Sequence, residues 1–118
     1  RYVKLNVSAA FHCNIMKDAQ RELINEIDKI NFKNSNLPII SNYDSTINSN
    51  KDSIQFALKN QMANRVRWTD SIKKLEETDT TQIIEIGPGK VLSGLITRIT
   101  KKFDIKSIDK IEDLKKIN

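Results

Sequence analysis

An α/β fold is predicted, and three observations carry it. A β-branched run at 81–86 leads through Gly87-Pro88-Gly89 into a stripe of apolar residues with helical period. Segments of strand and helix character alternate along the chain, and no internal repeat is present. A parallel sheet needs several neighbouring strands and helices on both faces, whereas only three or four strands are expected here. The 118 residues therefore read as part of something larger.

Residues 2–7 alternate, with Val3, Leu5 and Val7 on one face, which predicts a short strand. After a loop, Met16, Ala19, Leu23, Ile27 and Ile30 trace one face of a helix expected to start at Asn14 as N-cap and to end near 30–32. Asn34-Ser35-Asn36 is turn chemistry, and residues 37–41 form a short apolar run whose Pro38 suits only a strand's beginning. The stretch 43–51 is polar and rich in Asn and Ser, so it is expected to be an exposed loop. Helices are predicted over about 52–62, gathering Ile54, Ala57, Leu58 and Met62, and over about 68–77, burying Trp68, Ile72 and Leu75. The run 81–86 is a strand, and Val91, Leu92, Leu95, Ile96 and Ile99 make the helix after the glycine turn, half of a parallel βαβ unit. A strand over 104–108 and a short helix over 109–117 complete the chain.

Composition narrows the function classes. The apolar fraction of 38% and charged fraction of 30% are ordinary for a soluble protein. No run approaches the ~18 apolar residues that a membrane span needs. Residues 1–10 do not read as a secretory signal, and Cys13 is the single cysteine, so no internal disulfide is possible; a cytoplasmic location is expected. The net charge of +5 suggests nucleic acid, yet only five of the twenty basic residues are arginine. The densest basic stretch, 98–116, is interrupted by Asp104, Asp109, Glu112 and Asp113, as on a solvated surface. Neither nucleic-acid nor membrane binding is expected.

Few residues invite chemistry. His12 is the only histidine, and it falls between a predicted strand and a predicted helix. Imidazole titrates near neutrality, but a loop histidine is more often a surface or packing residue. Cys13 beside it reads as a structural cysteine rather than a nucleophile, because sequence neighbours usually point apart. One His and one Cys cannot close a zinc shell, so no metal site is expected. Gly87-Pro88-Gly89-Lys90 lacks the longer loop and the hydroxyl of a phosphate-binding loop, and reads as a tight strand-to-helix turn.

Taken together, these segments form a recognisable set. Val7-Ser8-Ala9-Ala10-Phe11-His12-Cys13 with Met16 resembles the surroundings of the catalytic histidine in malonyl-CoA:acyl carrier protein transacylases. Gln61 followed by Val66-Arg67-Trp68-Thr69 resembles a second block of that family. Residues 85–95, from Glu85-Ile86-Gly87-Pro88-Gly89-Lys90 to Leu95, resemble a third. The order and approximate spacing agree, with Ile39-Ile40-Ser41-Asn42 where the family has a similar strand end. The resemblance covers about 5–98, and departs at Ala10 and Arg65, both of which stand where proline is common.

The resemblance implies the C-terminal portion of an α/β-hydrolase-like acyltransferase domain. Residues 1–6 would be the last strand of a small ferredoxin-like subdomain and 7–118 the C-terminal part of the acyltransferase core. It implies transfer of malonyl from coenzyme A to the phosphopantetheine thiol of acyl carrier protein through a serine ester, as in fatty-acid synthesis. His12 would be the general base and Gln61 the source of the backbone carbonyl that orients it, with no cofactor beyond the two substrates, malonyl-CoA and phosphopantetheinylated acyl carrier protein. The serine in its G-x-S-x-G turn, the malonyl-binding arginine and the N-terminal glutamine loop have no counterpart here. The chain alone is therefore expected to be inactive. Its expected partners are acyl carrier protein, a coenzyme A thioester, the missing N-terminal part of the enzyme and further copies of itself. The alternative is a non-catalytic module that binds acyl carrier protein, or half of a split enzyme.

Overall fold

The computed structural model describes residues 9–117. The strand expected at 2–7, and with it the ferredoxin-like assignment of 1–6, lies outside the described residues. The chain divides into two compact units, Arg1–Ser71 and Ile72–Asn118.

In the first unit a 3-10 turn, Asn14–Met16, leads directly into helix α1, Lys17–Ile27. Asn14 was expected to cap this helix, but it belongs to the 3-10 turn, and Met16 occupies the cap position with no side-chain hydrogen bond. The helix also stops short of the expected 30–32. Its last turn tightens, with the amides of Lys29 and Ile30 donating to the carbonyls of Glu26 and Ile27, three residues back. Strand β1, Ile39–Ile40, pairs antiparallel with β2, Ile47–Asn48, in the register Ile39 to Asn48 and Ile40 to Ile47. The polar stretch expected to be a plain loop thus contributes a hairpin strand. Helix α2, Lys51–Gln61, begins at Asn50, whose side chain accepts from the amides of Asp52 and Ser53 and satisfies two otherwise free donors. Helix α3, Trp68–Glu76, begins in this unit, where Ser71 is 5% exposed. Among its described residues Ile27, Ala57 and Ala63 are the buried apolar side chains.

The second unit, which takes up the rest of α3, holds strand β3, Gln82–Ile86, helix α4, Val91–Ile99, and strand β4, Asp104–Ile108. The two strands are parallel and in register from Gln82 opposite Asp104 to Ile86 opposite Ile108, which completes the predicted βαβ unit. Ile72, Ile96, Phe103 and Ile108 are its buried apolar residues. The final short helix is a 3-10 segment, Ile111–Lys116, in which the Asp113 carboxylate accepts from the amides of Asp109 and Lys110.

Candidate active site

His12 is exposed and takes a left-handed backbone conformation, φ 65°, which is uncommon for any residue but glycine. Two hydrogen bonds hold it there. Its amide donates to the Met62 carbonyl at 2.9 Å, and its ring Nδ1 lies 3.2 Å from the Gln61 carbonyl oxygen. A carbonyl can only accept, so Nδ1 carries the proton and Nε2 is left free when the ring is neutral. The sequence separates His12 from Gln61 by 49 positions, and the end of α2 brings the two together. Gln61 meets His12 through its main chain, while its side-chain amide reaches the Asn64 carbonyl at 3.5 Å.

Cys13 takes no part in this pair. Its thiol donates to the Ala10 carbonyl at 3.0 Å, the behaviour of a structural cysteine. Phe11 lies beside the imidazole, with ring centroids 6.4 Å apart. A largely apolar cleft of about 290 Å³ in the same unit is bordered by Ile40, Ser41, Ile54, Ala57 and Gln61. Sequence reasoning missed Gln20. From α1 its side-chain oxygen accepts from the amide of Ala63 at 2.8 Å, just beyond the carbonyls that His12 engages.

The glycine turn in the second unit is what its sequence suggested. Gly87 and Gly89 have φ of 142° and 85°, conformations in which a side chain is strained. The start of α4 has an occupant from within the chain. The Glu85 carboxylate accepts from the amides of Leu92 and Ser93, each at 2.9 Å, from the Ser93 hydroxyl and, at 3.5 Å, from that of Ser107. The Ser93 hydroxyl, then the amides of Ser93 and Leu92 and the Ser107 hydroxyl, hold the Glu85 carboxyl below its ordinary range, outweighing the opposing effect of burial. Sequence reasoning named Glu85 only as the first residue of a shared motif and gave it no role, although a lone carboxylate inside a β-branched run ahead of a glycine turn was a usable signal.

Among the described residues no cluster of three or more His, Cys, Asp or Glu is placed to hold a metal ion. None of their helices is long and apolar enough to cross a membrane.

No protein-family model matches the chain. A curated malonyl CoA-acyl carrier protein transacylase from Synechocystis sp. PCC 6803 is 34% identical over 97% of it and 39% of the relative's own length. The crystal structure of a Synechocystis malonyl-CoA:ACP transacylase superposes with a TM-score of 0.92, at 34% identity, over 98% of this chain and 40% of that one. A malonyl-transacylase solved in complex with its type II PKS acyl-carrier protein superposes at 0.87 and 34% identity, over 93% of this chain and 36% of that one. The chain thus spans about two fifths of the length of these proteins, and over that span, by sequence and by fold, it belongs to the malonyl-CoA:acyl carrier protein transacylase family.

Proposed function

We propose that the chain is the C-terminal part of a malonyl-CoA:acyl carrier protein transacylase, in which His12 is the general base. The hydrogen bond from His12 Nδ1 to the Gln61 carbonyl, 3.2 Å, carries this reading. It selects the tautomer whose Nε2 is free to take a proton, the service that a carboxylate performs in a hydrolase triad. In the proposed reaction Nε2 withdraws the proton of a serine hydroxyl while the serine oxygen attacks the malonyl thioester carbon. The tetrahedral oxyanion collapses, the C–S bond breaks, and coenzyme A leaves with the proton returned by the imidazolium. The phosphopantetheine thiol of the carrier then gives its proton to Nε2 and attacks the serine ester, and the serine oxygen leaves reprotonated.

The serine, the arginine for the malonyl carboxylate and the glutamine loop come from polypeptide beyond this sequence. Its three glycines, at 87, 89 and 94, do not frame a G-x-S-x-G turn. The chain alone is therefore inactive and calls for no cofactor, and its setting is the cytoplasm, in fatty-acid synthesis. An intact mass spectrum after incubation with malonyl-CoA tests this, with the unmodified mass expected; a malonyl adduct would place a nucleophile within these residues. Supplying the remaining part of a family member as a second polypeptide should give malonyl transfer, and His12→Ala should remove at least ~100-fold of that rate, the usual share of a general base. Gln61→Ala, which keeps the carbonyl, should cost far less.

A second reading is a module that docks acyl carrier protein without catalysis. The complex of a related transacylase with its carrier and the net charge of +5 favour it, since basic surfaces steer acidic partners. Titrating the 118-residue chain with acyl carrier protein decides it, and unchanged affinity on replacing the Lys and Arg residues near His12 would count against it.

A further inference from the structure

Main-chain groups of three consecutive residues at the end of α2 are held by the segment that carries His12. The Gln61 carbonyl accepts from the imidazole, the Met62 carbonyl accepts from the His12 amide, and the Ala63 amide donates to Gln20. Ala63 is 4% exposed, so its N–H is shut off from water and Gln20 is its acceptor. Gln20 sits on α1, itself half-buried, about two turns beyond His12. Among the described residues the other hydrogen bond to the Gln61 carbonyl is a long one, 3.4 Å, from the amide of Asn64.

We propose that Gln20 is a positioning residue: by binding the Ala63 amide it fixes the turn after α2 and so aims the Gln61 carbonyl at Nδ1 of His12. The physical reason is the cost of a buried donor without a partner. Without the Gln20 oxygen, the Ala63 amide must turn to find water or another acceptor. The peptide units at 61–63 share the intervening dihedral angles, so that rotation swings the carbonyls of Gln61 and Met62 away from His12. The tautomer of His12 is thereby tied to a side chain whose hydrogen bond goes to Ala63 rather than to His12.

This inference rests on the reading of His12 as a base oriented by Gln61, and one measurement separates the two. His12 is the sole histidine, so the ¹⁵N spectrum of the labelled chain contains a single imidazole, whose two nitrogens report the tautomer directly. In the unmodified chain the neutral ring should be mainly Nδ1–H. Gln20→Met keeps the bulk of the side chain and removes the acceptor, and should shift the ratio toward Nε2–H by about five-fold, the worth of one net hydrogen bond. Gln20→Glu retains an acceptor and should restore the original ratio, which a purely packing role would not predict. An unchanged ratio in Gln20→Met, or a shift that Gln20→Glu fails to reverse, overturns the role of Gln20 and leaves the reading of His12 standing. Finding Nε2–H in the unmodified chain overturns both. Should Gln20→Met not fold, hydrogen exchange in the unmodified chain decides: protection at the Ala63 amide supports the proposal, and exchange as fast as in open loops rejects it.

Discussion

His12 shows how much a single position asks of its surroundings. A left-handed backbone costs a non-glycine residue on the order of 1–2 kcal/mol, and here two hydrogen bonds to the end of α2 maintain it. Glu85 poses a different question, because its carboxyl is held below its ordinary range by the Ser93 hydroxyl and the groups around it. A depressed carboxyl adds stability that is fully present above its unfolded pKa and is lost as the pH falls through the lower folded value. Glu85→Gln removes that contribution. Urea titrations are expected to show the variant less stable than the parent at pH 7, with the difference closing as the pH drops below about 4. A difference that stays constant down to acid pH would mean that the charge of Glu85 contributes nothing. Of these side chains only His12 was given a role from the sequence, through its motif; Glu85 stood in another motif without one. Gln20 reads as one more polar residue on a helix, and its partner lies 43 positions away.

Local rules account for most of the secondary structure and fail where contacts between elements intervene. Helix α2 has a legible apolar face and a cap at Asn50, which serves two amides at 2.9 and 3.2 Å. Asn50→Ala should therefore lower stability by about 1 kcal/mol, the usual worth of an N-cap, measured as a shift in the midpoint of chemical denaturation. No change would mean that the helix start is held by other contacts; the amide of Lys51, for example, donates to the Asn34 side chain at 2.9 Å. The β1–β2 hairpin escaped sequence reading because its second strand is two residues long and polar around Ile47. Two residues show no period. Pairing with β1 makes it a strand, and the local turn chemistry, in which the Asp44 carboxylate accepts from the Thr46 amide at 3.1 Å, prepares it. In contrast, strands β3 and β4 were readable because five residues of β-branched or alternating character suffice to show a pattern.

Seen as one polypeptide, the chain has more apolar side chains than it can cover. Among the described residues seven apolar side chains are buried, whereas fifteen large ones are exposed. Ile86, Ile111 and Leu114, which are 81%, 81% and 51% exposed, line one shallow cleft beside the glycine turn. Beside them β3 and β4 pair only with each other among the described residues, and a parallel pair with two open edges is a template for further strands. Purified alone, the chain is expected to self-associate, giving a concentration-dependent mass in sedimentation. Mixing it with a polypeptide that carries the rest of a family member should suppress that association as the exposed faces are covered. A monomer at all concentrations would show that the apolar surface is tolerated in water.

What the amino-acid sequence determined on its own was whatever depends on short spacing. This includes the α/β class, the order of its helices and main strands, the glycine turn, and the three motifs that tie the chain to its family. The class, the order of elements and the glycine turn are set by dihedral preferences and apolar periods within about ten residues, whereas the motifs act through resemblance in residue identity, order and spacing. The Gln61 carbonyl beside His12 was expected through the resemblance alone, and the tertiary structure supplied its geometry; only the tertiary structure decided that Gln20 meets the Ala63 amide and that Glu85 occupies the start of α4. Those contacts join groups far apart in the chain or across a turn. They form because buried amides and carbonyls must find partners wherever the packing of helices and strands brings them.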